Sequence, residues 1–496
     1  MVVRGRQVHK VKWFGVLWIV PVGLLAGWLA SSSLLASILL ILGSLLAMSA
    51  VVWGSTLTQR RLIITLLVCS ILLPGIPVPG LLQIRPEELL VLALLPAVVV
   101  SLNTRLNRFD LVFGLIGVST MLSMAWGTLG QGAPLSPRDL MELVKLARFW
   151  LFFRVALYPW TEQDIRTIVV ALLISMAIAV LIGILQFTNW MGIGGMLESV
   201  YTQGAAHTGK GRVVGTLPSP NYFALLMASG LAFVVGAIEW VRHRWMLVVL
   251  GIAMIGAIGV TLSRAGILAA GVVLLVTIAL RIMWLRRISF RRWIGWLILA
   301  ILILLVVGGA ATAWLRGEFQ SLEDMSDSEK LEYSWQGPVQ RLIFRFSFLQ
   351  EGQETRIRIW QSHLADFSQS PWLGWGPGKA LQGTVTDNGY VLYLRRYGIV
   401  GMALYSLLYW QILRIGWKIL HIHSYRSAMW ATALSVIAIT LAYLVSNVSV
   451  EVFYQLQLMS FFWLVVGVGY STLYFQGRLP AENSGGATTG GSPFTS

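Results

Sequence analysis

The chain has 496 residues, of which 56% are hydrophobic and 12% charged, with a formal net charge of +16 and a mean hydropathy of +0.74. A soluble domain carries about a quarter charged residues to solvate its surface, so this composition excludes a water-soluble fold. The basic excess does not indicate nucleic acid, because the arginines and lysines fall in short connections between apolar runs, where orientation in a membrane requires them.

A helix needs about 20 mostly apolar residues to cross a bilayer. The runs lack the alternation of lipid-facing barrel strands, so an all-α polytopic bundle is expected. In chain order the spacing predicts spans over 13–30, 34–53, 62–80, 88–102, 109–127, 139–157, 165–187, 221–240, 245–262, 265–283, 293–314, 389–413, 427–447 and 455–475. The charged start before the first run has the look of a signal peptide, but no small-residue cleavage site follows and it is read as a span. Pro74, Pro77 and Pro79 make 62–102 a candidate for broken helices, and 245–283 is interrupted only at Ser263-Arg264. One helix of that second length would overrun the hydrocarbon core; two spans with Arg264 at their outer turn fit better. These two stretches set the expected number at about 12–14 transmembrane helices. Cys69 is the single cysteine and lies inside an apolar run, so no intramolecular disulfide can form.

Orientation follows from the short connections. Arg60 and Arg61, Arg105 and Arg108, Arg166, Arg242 and Arg244, the cluster from Arg281 to Arg292, and Arg414, Lys418 and Arg426 all fall on one side if the N-terminus is inside. The opposite connections hold almost none: 31–33 is Ser-Ser-Ser, 128–138 has only Arg138 and 448–454 has none. Both termini are therefore expected in the cytoplasm. Residues 1–476 read as one membrane domain and 477–496, rich in Gly, Ser and Thr, as a disordered cytoplasmic tail.

Two outer connections are long, 188–220 and 315–388, and long loops are commonly functional. The second holds an acidic group from Glu318 to Glu332 and a basic group of Arg341, Arg345, Arg356 and Arg358. Within it, Ile357, Trp360, Leu364 and Phe367 recur at helical spacing and predict a helix over 354–368 lying on the outer leaflet. In the sixth span, Glu142, Lys145 and Arg148 at helical spacing point to a polar interior, an interfacial position or an intramembrane ion pair.

Candidate chemistry concentrates outside. Arg212 precedes Pro218-Ser219-Pro220-Asn221, a rigid entry to the next span whose helix N-terminus, beside an arginine, makes an anion site. Arg264 is flanked by apolar residues and stands against the charge bias. The bland alternative is that both snorkel to headgroups. Trp372 and Trp375 in Pro371-Trp372-Leu373-Gly374-Trp375-Gly376-Pro377-Gly378 are sugar platforms or interfacial anchors. Asp387, in Asp387-Asn388-Gly389, is either a plain helix N-cap or a general base facing the arginines. His207 and His363 read as polar loop residues. His421 and His423 lack carboxylate or cysteine companions, so no metal is expected. No nucleotide motif appears, and no internal repeat, which counts against a transporter built from repeats.

In this order, Arg212-Val213-Val214-Gly215, Ser219-Pro220-Asn221, Leu262-Ser263-Arg264-Ala265, Arg356 with Trp360, the Pro371–Gly378 turn, Asp387-Asn388 and Tyr397-Gly398-Ile399-Val400-Gly401 resemble the O-antigen ligase and polymerase superfamily of bacterial envelope glycan assembly, over roughly 210–410. The resemblance implies a multi-pass inner-membrane glycosyltransferase that needs no cofactor or metal. Its donor would be an undecaprenyl-pyrophosphate-linked glycan, with membrane lipid, a flippase and a chain-length regulator as partners. Catalysis would fall to Arg212, Arg264 and Asp387, and substrate contact to Asn221, Arg356, Arg358, Trp360, Trp372, Trp375 and Asn388. Two departures matter. Ser219 stands where the family has Asn, and Asp387 where lipopolysaccharide ligases carry histidine. The second points toward a polymerase, with a ligase as the enzyme alternative and a lipid-linked oligosaccharide flippase as the alternative of another class.

Overall fold

The computed structural model describes residues 59–75, 85, 87, 107–202, 212–286, 352–378 and 386–474. The expected spans 13–30, 34–53, 88–102 and 293–314, the tail, His207 and the acidic part of the long loop lie outside the described residues. Among the described residues there are twelve α-helices and no strand. They are α1 (Gln59–Leu72), α2 (Arg108–Leu129), α3 (Pro137–Val155), α4 (Glu162–Thr188), α5 (Ile193–Thr202), α6 (Pro220–Ala237), α7 (Arg244–Thr261), α8 (Arg264–Arg286), α9 (Gly352–Gln369), α10 (Gly389–Ile422), α11 (Ala428–Ser446) and α12 (Leu456–Tyr474). Eight of them are long and apolar enough to cross a membrane, so this is a multi-pass helical membrane protein.

Local sequence sets the helix ends. Asn107 caps α2, its Oδ1 accepting from the amides of Phe109 (2.8 Å) and Asp110 (3.1 Å), while Asp110 Oδ2 accepts from the Asn107 amide (2.7 Å). Thr161 and Asp164 repeat the arrangement at α4, and Ser427 Oγ caps α11 through the Trp430 amide. Each satisfies donors that the first turn of a helix leaves unpaired. α1 stops at Leu72, before Pro74, whose ring cannot continue the helix. The long apolar stretch after Arg244 is two helices turning at Leu262-Ser263, as its length required; Leu262 takes a left-handed backbone, φ 52°. The connection after α4, expected only as a long loop, carries a 3₁₀ turn at Trp190–Gly192 and the helix α5.

Helix ends that the charge pattern assigns to one side do meet. Arg60 pairs with Asp164 (2.9 Å), Arg154 with Asp110 (3.2 Å) and Arg281 with Glu239, and Glu162 accepts the amide of Ala428 (2.6 Å). At the opposite end gather the starts of α6, α8 and α10 and the ends of α7 and α11, through contacts described below. Between the ends the helices interlock. Phe109, Phe113, Phe153 and Trp463 join α2, α3 and α12 as tilted and edge-on aromatic pairs. Gly266 brings α8 onto α6 so closely that any side chain there would strike Ala224. In lipid, where apolar surface gains little by leaving its solvent, such close approach is what holds helices together.

α3, the expected sixth span, is not among the eight apolar helices, and its charges turn inward. Glu142 pairs with Lys145 (2.7 Å) and Arg396 (3.7 Å) and accepts from Tyr397 Oη (3.4 Å) and Tyr454 Oη. Arg148 lies 3.6 Å from Glu87 and donates to Ser460 (2.7 Å), and Glu87 also pairs with Arg85 (3.5 Å). The series Glu142, Lys145, Arg148 thus lines a buried ionic network.

Candidate active site

Arg212, Asn221, Leu262, Arg264, Ala265, Arg356, Ile357, Trp360, Val448 and Ser449 line one open cavity. Five separate pieces of chain supply it, each for a local reason. Arg212 spans two helix ends. Its Nε donates to the Thr261 carbonyl at the end of α7 (2.9 Å) and its Nη2 to Asn221 Oδ1 in the first turn of α6 (3.0 Å). Pro220 stands in that first turn, where its missing N–H costs no hydrogen bond. Arg264 opens α8, whose start Ser263 secures by accepting from the Gly266 amide (3.0 Å). α9 covers the expected 354–368 and extends to Gly352–Gln369, bringing Arg356 and Trp360 to the cavity.

Three guanidinium groups therefore face one space. Burial, and then the charges of Arg356 and Arg264, pull the pKa of Arg212 below its ordinary value, the direction expected when like charges converge. Such a cluster favours an anion, and arginine's planar fork matches phosphate oxygens two at a time.

Asp387 meets this cluster through Arg356, Nε to Oδ2 at 3.0 Å. The two side chains are 41% and 31% exposed, so the pair is weak and exchangeable, as surface ion pairs are. The helix cap belongs to a different residue from the one weighed in the sequence. Asn388 Oδ1 accepts from the amides of Tyr390 (3.0 Å) and Val391 (3.2 Å), and Asp387 makes no cap. Asn388 is thereby buried in structure instead of facing the cavity.

The backbone of the Pro371–Gly378 turn, which carries the two tryptophans, has a structural task. The turn clamps a break in α10 at Gly398, where φ is 62°. The amides of Trp375 and Gly376 donate to the carbonyls of Arg395 (2.9 Å) and Arg396 (3.0 Å), and those of Ile399 and Val400 donate to Pro371 (2.8 Å) and Trp372 (3.2 Å). A side chain at Gly398 would collide with the Trp372 carbonyl. Trp375 Nε1 donates to the Asp366 carbonyl (2.7 Å), while the Trp372 ring is 67% exposed. Neither lines the arginine cavity, and neither does Arg358, which lies exposed on α9.

Several residues at this end escaped the sequence analysis. Glu451, in the short connection before α12, accepts from both the amide (3.0 Å) and the hydroxyl (2.6 Å) of Thr386. Trp360 Nε1 donates to the Thr386 carbonyl (2.6 Å). His363, read as a polar loop residue, is 1% exposed, and neither ring nitrogen has a hydrogen-bond partner among the described residues. Burial, and then the neighbouring Arg395, lower its pKa to about 4, against the opposing pull of Asp366. An acidic residue in an otherwise uncharged outer connection was the available signal for Glu451; nothing in the sequence marked His363 as buried.

Among the described residues no group of three His, Cys, Asp or Glu side chains is placed to hold a metal ion. No curated protein matches the chain. Residues 249–406, from within α7 to the middle of α10, match the family model described as O-antigen ligase. That stretch holds Arg264, Arg356, Trp360 and Asp387 but stops short of Arg212, Asn221 and Glu451. Over that stretch, about a third of its length, the chain is similar to this family, which supports the resemblance to the O-antigen ligase and polymerase superfamily.

Proposed function

We propose that this protein is a glycosyltransferase that lengthens repeat-unit polysaccharide at the outer face of the bacterial inner membrane, using a glycan carried on undecaprenyl pyrophosphate. The observation that carries the proposal is the convergence of Arg212, Arg264 and Arg356 on one cavity, with Asp387 as the carboxylate held at its edge. A hydroxyl of the acceptor sugar attacks the anomeric carbon of the donor. The bond from that carbon to the phosphate oxygen breaks, and its electron pair leaves on the lipid pyrophosphate. The arginines stabilise that departing charge, a role that is most effective when the donors are already fixed in place. Arg212 is so fixed, by Thr261 and Asn221. Asp387 takes the proton of the attacking hydroxyl, and a positioned base typically contributes about 10²–10⁴-fold.

An aspartate where ligases of the superfamily carry histidine favours polymer growth over a single terminal transfer. The experiment is to incubate the purified protein with lipid-linked repeat units and resolve the glycan by size. A ladder is expected. One transfer to lipid A core, with no ladder, would make the protein a ligase. Movement of the donor across vesicles with no new glycosidic bond would make it a flippase.

A further inference from the structure

Asp387 adopts a left-handed backbone, φ 49°. For a residue other than glycine this is a strained conformation that persists only where the surroundings over-determine it. Here the peptide is held on both flanks. Before it, Thr386 is buried and held at three points: Glu451 Oε1 accepts from its amide and its hydroxyl, and Trp360 Nε1 donates to its carbonyl. After it, the Gly389 amide donates to the Asn447 carbonyl (2.8 Å), and Asn388 caps α10. Asn447 and Glu451 lie in the same connection between α11 and α12, closed on itself by the Val452 amide donating to Asn447 Oδ1 (3.1 Å). Val448 and Ser449, between them, form part of the cavity wall. One short connection thus grips the chain on either side of Asp387 and also borders the space in which the donor would sit.

Resting on the reading of Asp387 as proton acceptor, we propose that Glu451 is a positioning residue for the reaction: by holding Thr386 it sets the backbone that aims the Asp387 carboxylate into the arginine cavity. Glu451 does this as a hydrogen-bond acceptor through a single oxygen, and it does not itself take the proton. A glutamine offers the same acceptor oxygen and an alanine offers none. A displacement of about 1 Å at a reacting group can cost about 10²-fold in rate.

The test uses the full-length protein in detergent, with transfer followed on purified lipid-linked repeat units and inorganic pyrophosphate as the binding probe. Glu451→Ala is expected to lose about 10²-fold in transfer, as above, with pyrophosphate binding and the unfolding temperature close to wild type. Glu451→Gln should recover most of that loss. In an Asp387→Asn background Glu451→Ala should cost little more, since residues acting through one group are non-additive. Equal inactivity of the Gln and Ala variants would overturn the proposal and hand the proton to Glu451. Loss of pyrophosphate binding in step with stability would reduce Glu451 to a packing role and overturn it too. Full activity of Glu451→Ala beside an inactive Asp387→Asn would sink this inference alone; full activity of Asp387→Asn would sink the assignment of the base on which it rests.

Discussion

Arg212, Arg264 and Arg356 converge on an open cavity at one end of the bundle, whereas Arg148 and Arg396 lie inside it among Glu87, Glu142, Tyr397, Tyr454 and Ser460. The residue types are the same and the surroundings differ. In the interior network each carboxylate answers more than one cation. Glu142 serves Lys145 and Arg396 with tyrosine hydroxyls in support, and Lys145 and Arg396 also stack on the Tyr454 ring. Such a network is closed on itself. At the cavity, burial and the charges of Arg356 and Arg264 lower the affinity of Arg212 for protons, and Asp387 is held by an exposed pair that a phosphate could displace. An arginine cluster therefore indicates a ligand where its charges repel across a space, and a scaffold where they are answered within the protein.

That contrast can be broken most sharply at Asp387. Asp387→Asn is expected to reduce transfer by about 10²–10⁴-fold, and because Asn388 carries the cap, the protein should stay folded and bind pyrophosphate. Near-normal polymer from this variant would remove the base. In the interior network the expected loss is of fold instead of function: Glu142→Ala strands Lys145 and Arg396, and breaking a buried pair costs about 3–5 kcal/mol. Thermal unfolding in detergent reads this, and an unchanged melting temperature would show the network to be dispensable. At the cavity, Arg264→Ala should lower transfer by about 10²–10³-fold, the scale of losing one fixed donor to developing charge, while leaving the melting temperature in place. Lysine should rescue poorly, since it cannot engage two oxygens at once.

The smallest expected effect concerns pH. His363 has a folded-state pKa of about 4 against an ordinary value of 6.5, so below 6.5 the unfolded state binds the extra proton. The stability it contributes is complete above pH 6.5 and declines as pH falls toward 4. His363→Phe should flatten the acid limb of a stability profile over that window. A profile identical to wild type would show that the histidine is not shielded as described.

The membrane class, the helix order and the two-helix turn at Ser263-Arg264 were all legible in the sequence, because the length of an apolar run and the charge of a short connection are local properties that a bilayer reads directly. Arg212 and Arg264 were legible as candidates for the same reason, each a cation on the side where cations are rare, and Arg356 was legible through the family resemblance. Their meeting was not, since residues 212, 264 and 356 come together only when α6, α7, α8 and α9 pack. The roles of neighbouring residues were also invisible. Asp387 and Asn388 are both good caps by composition, and only the backbone turn at Asp387 assigns the cap to Asn388 and the ion pair to Asp387. Trp372 and Trp375 read equally as sugar platforms or interfacial anchors, and nothing local showed that the backbone of their turn clamps the break at Gly398. Glu451 carried no local signal beyond its charge, and its hold on Thr386 exists only because a connection 65 residues further along the chain folds back beside it. Hydropathy and charge act along the chain and can be read from it, while a site is a set of distances, which packing alone decides.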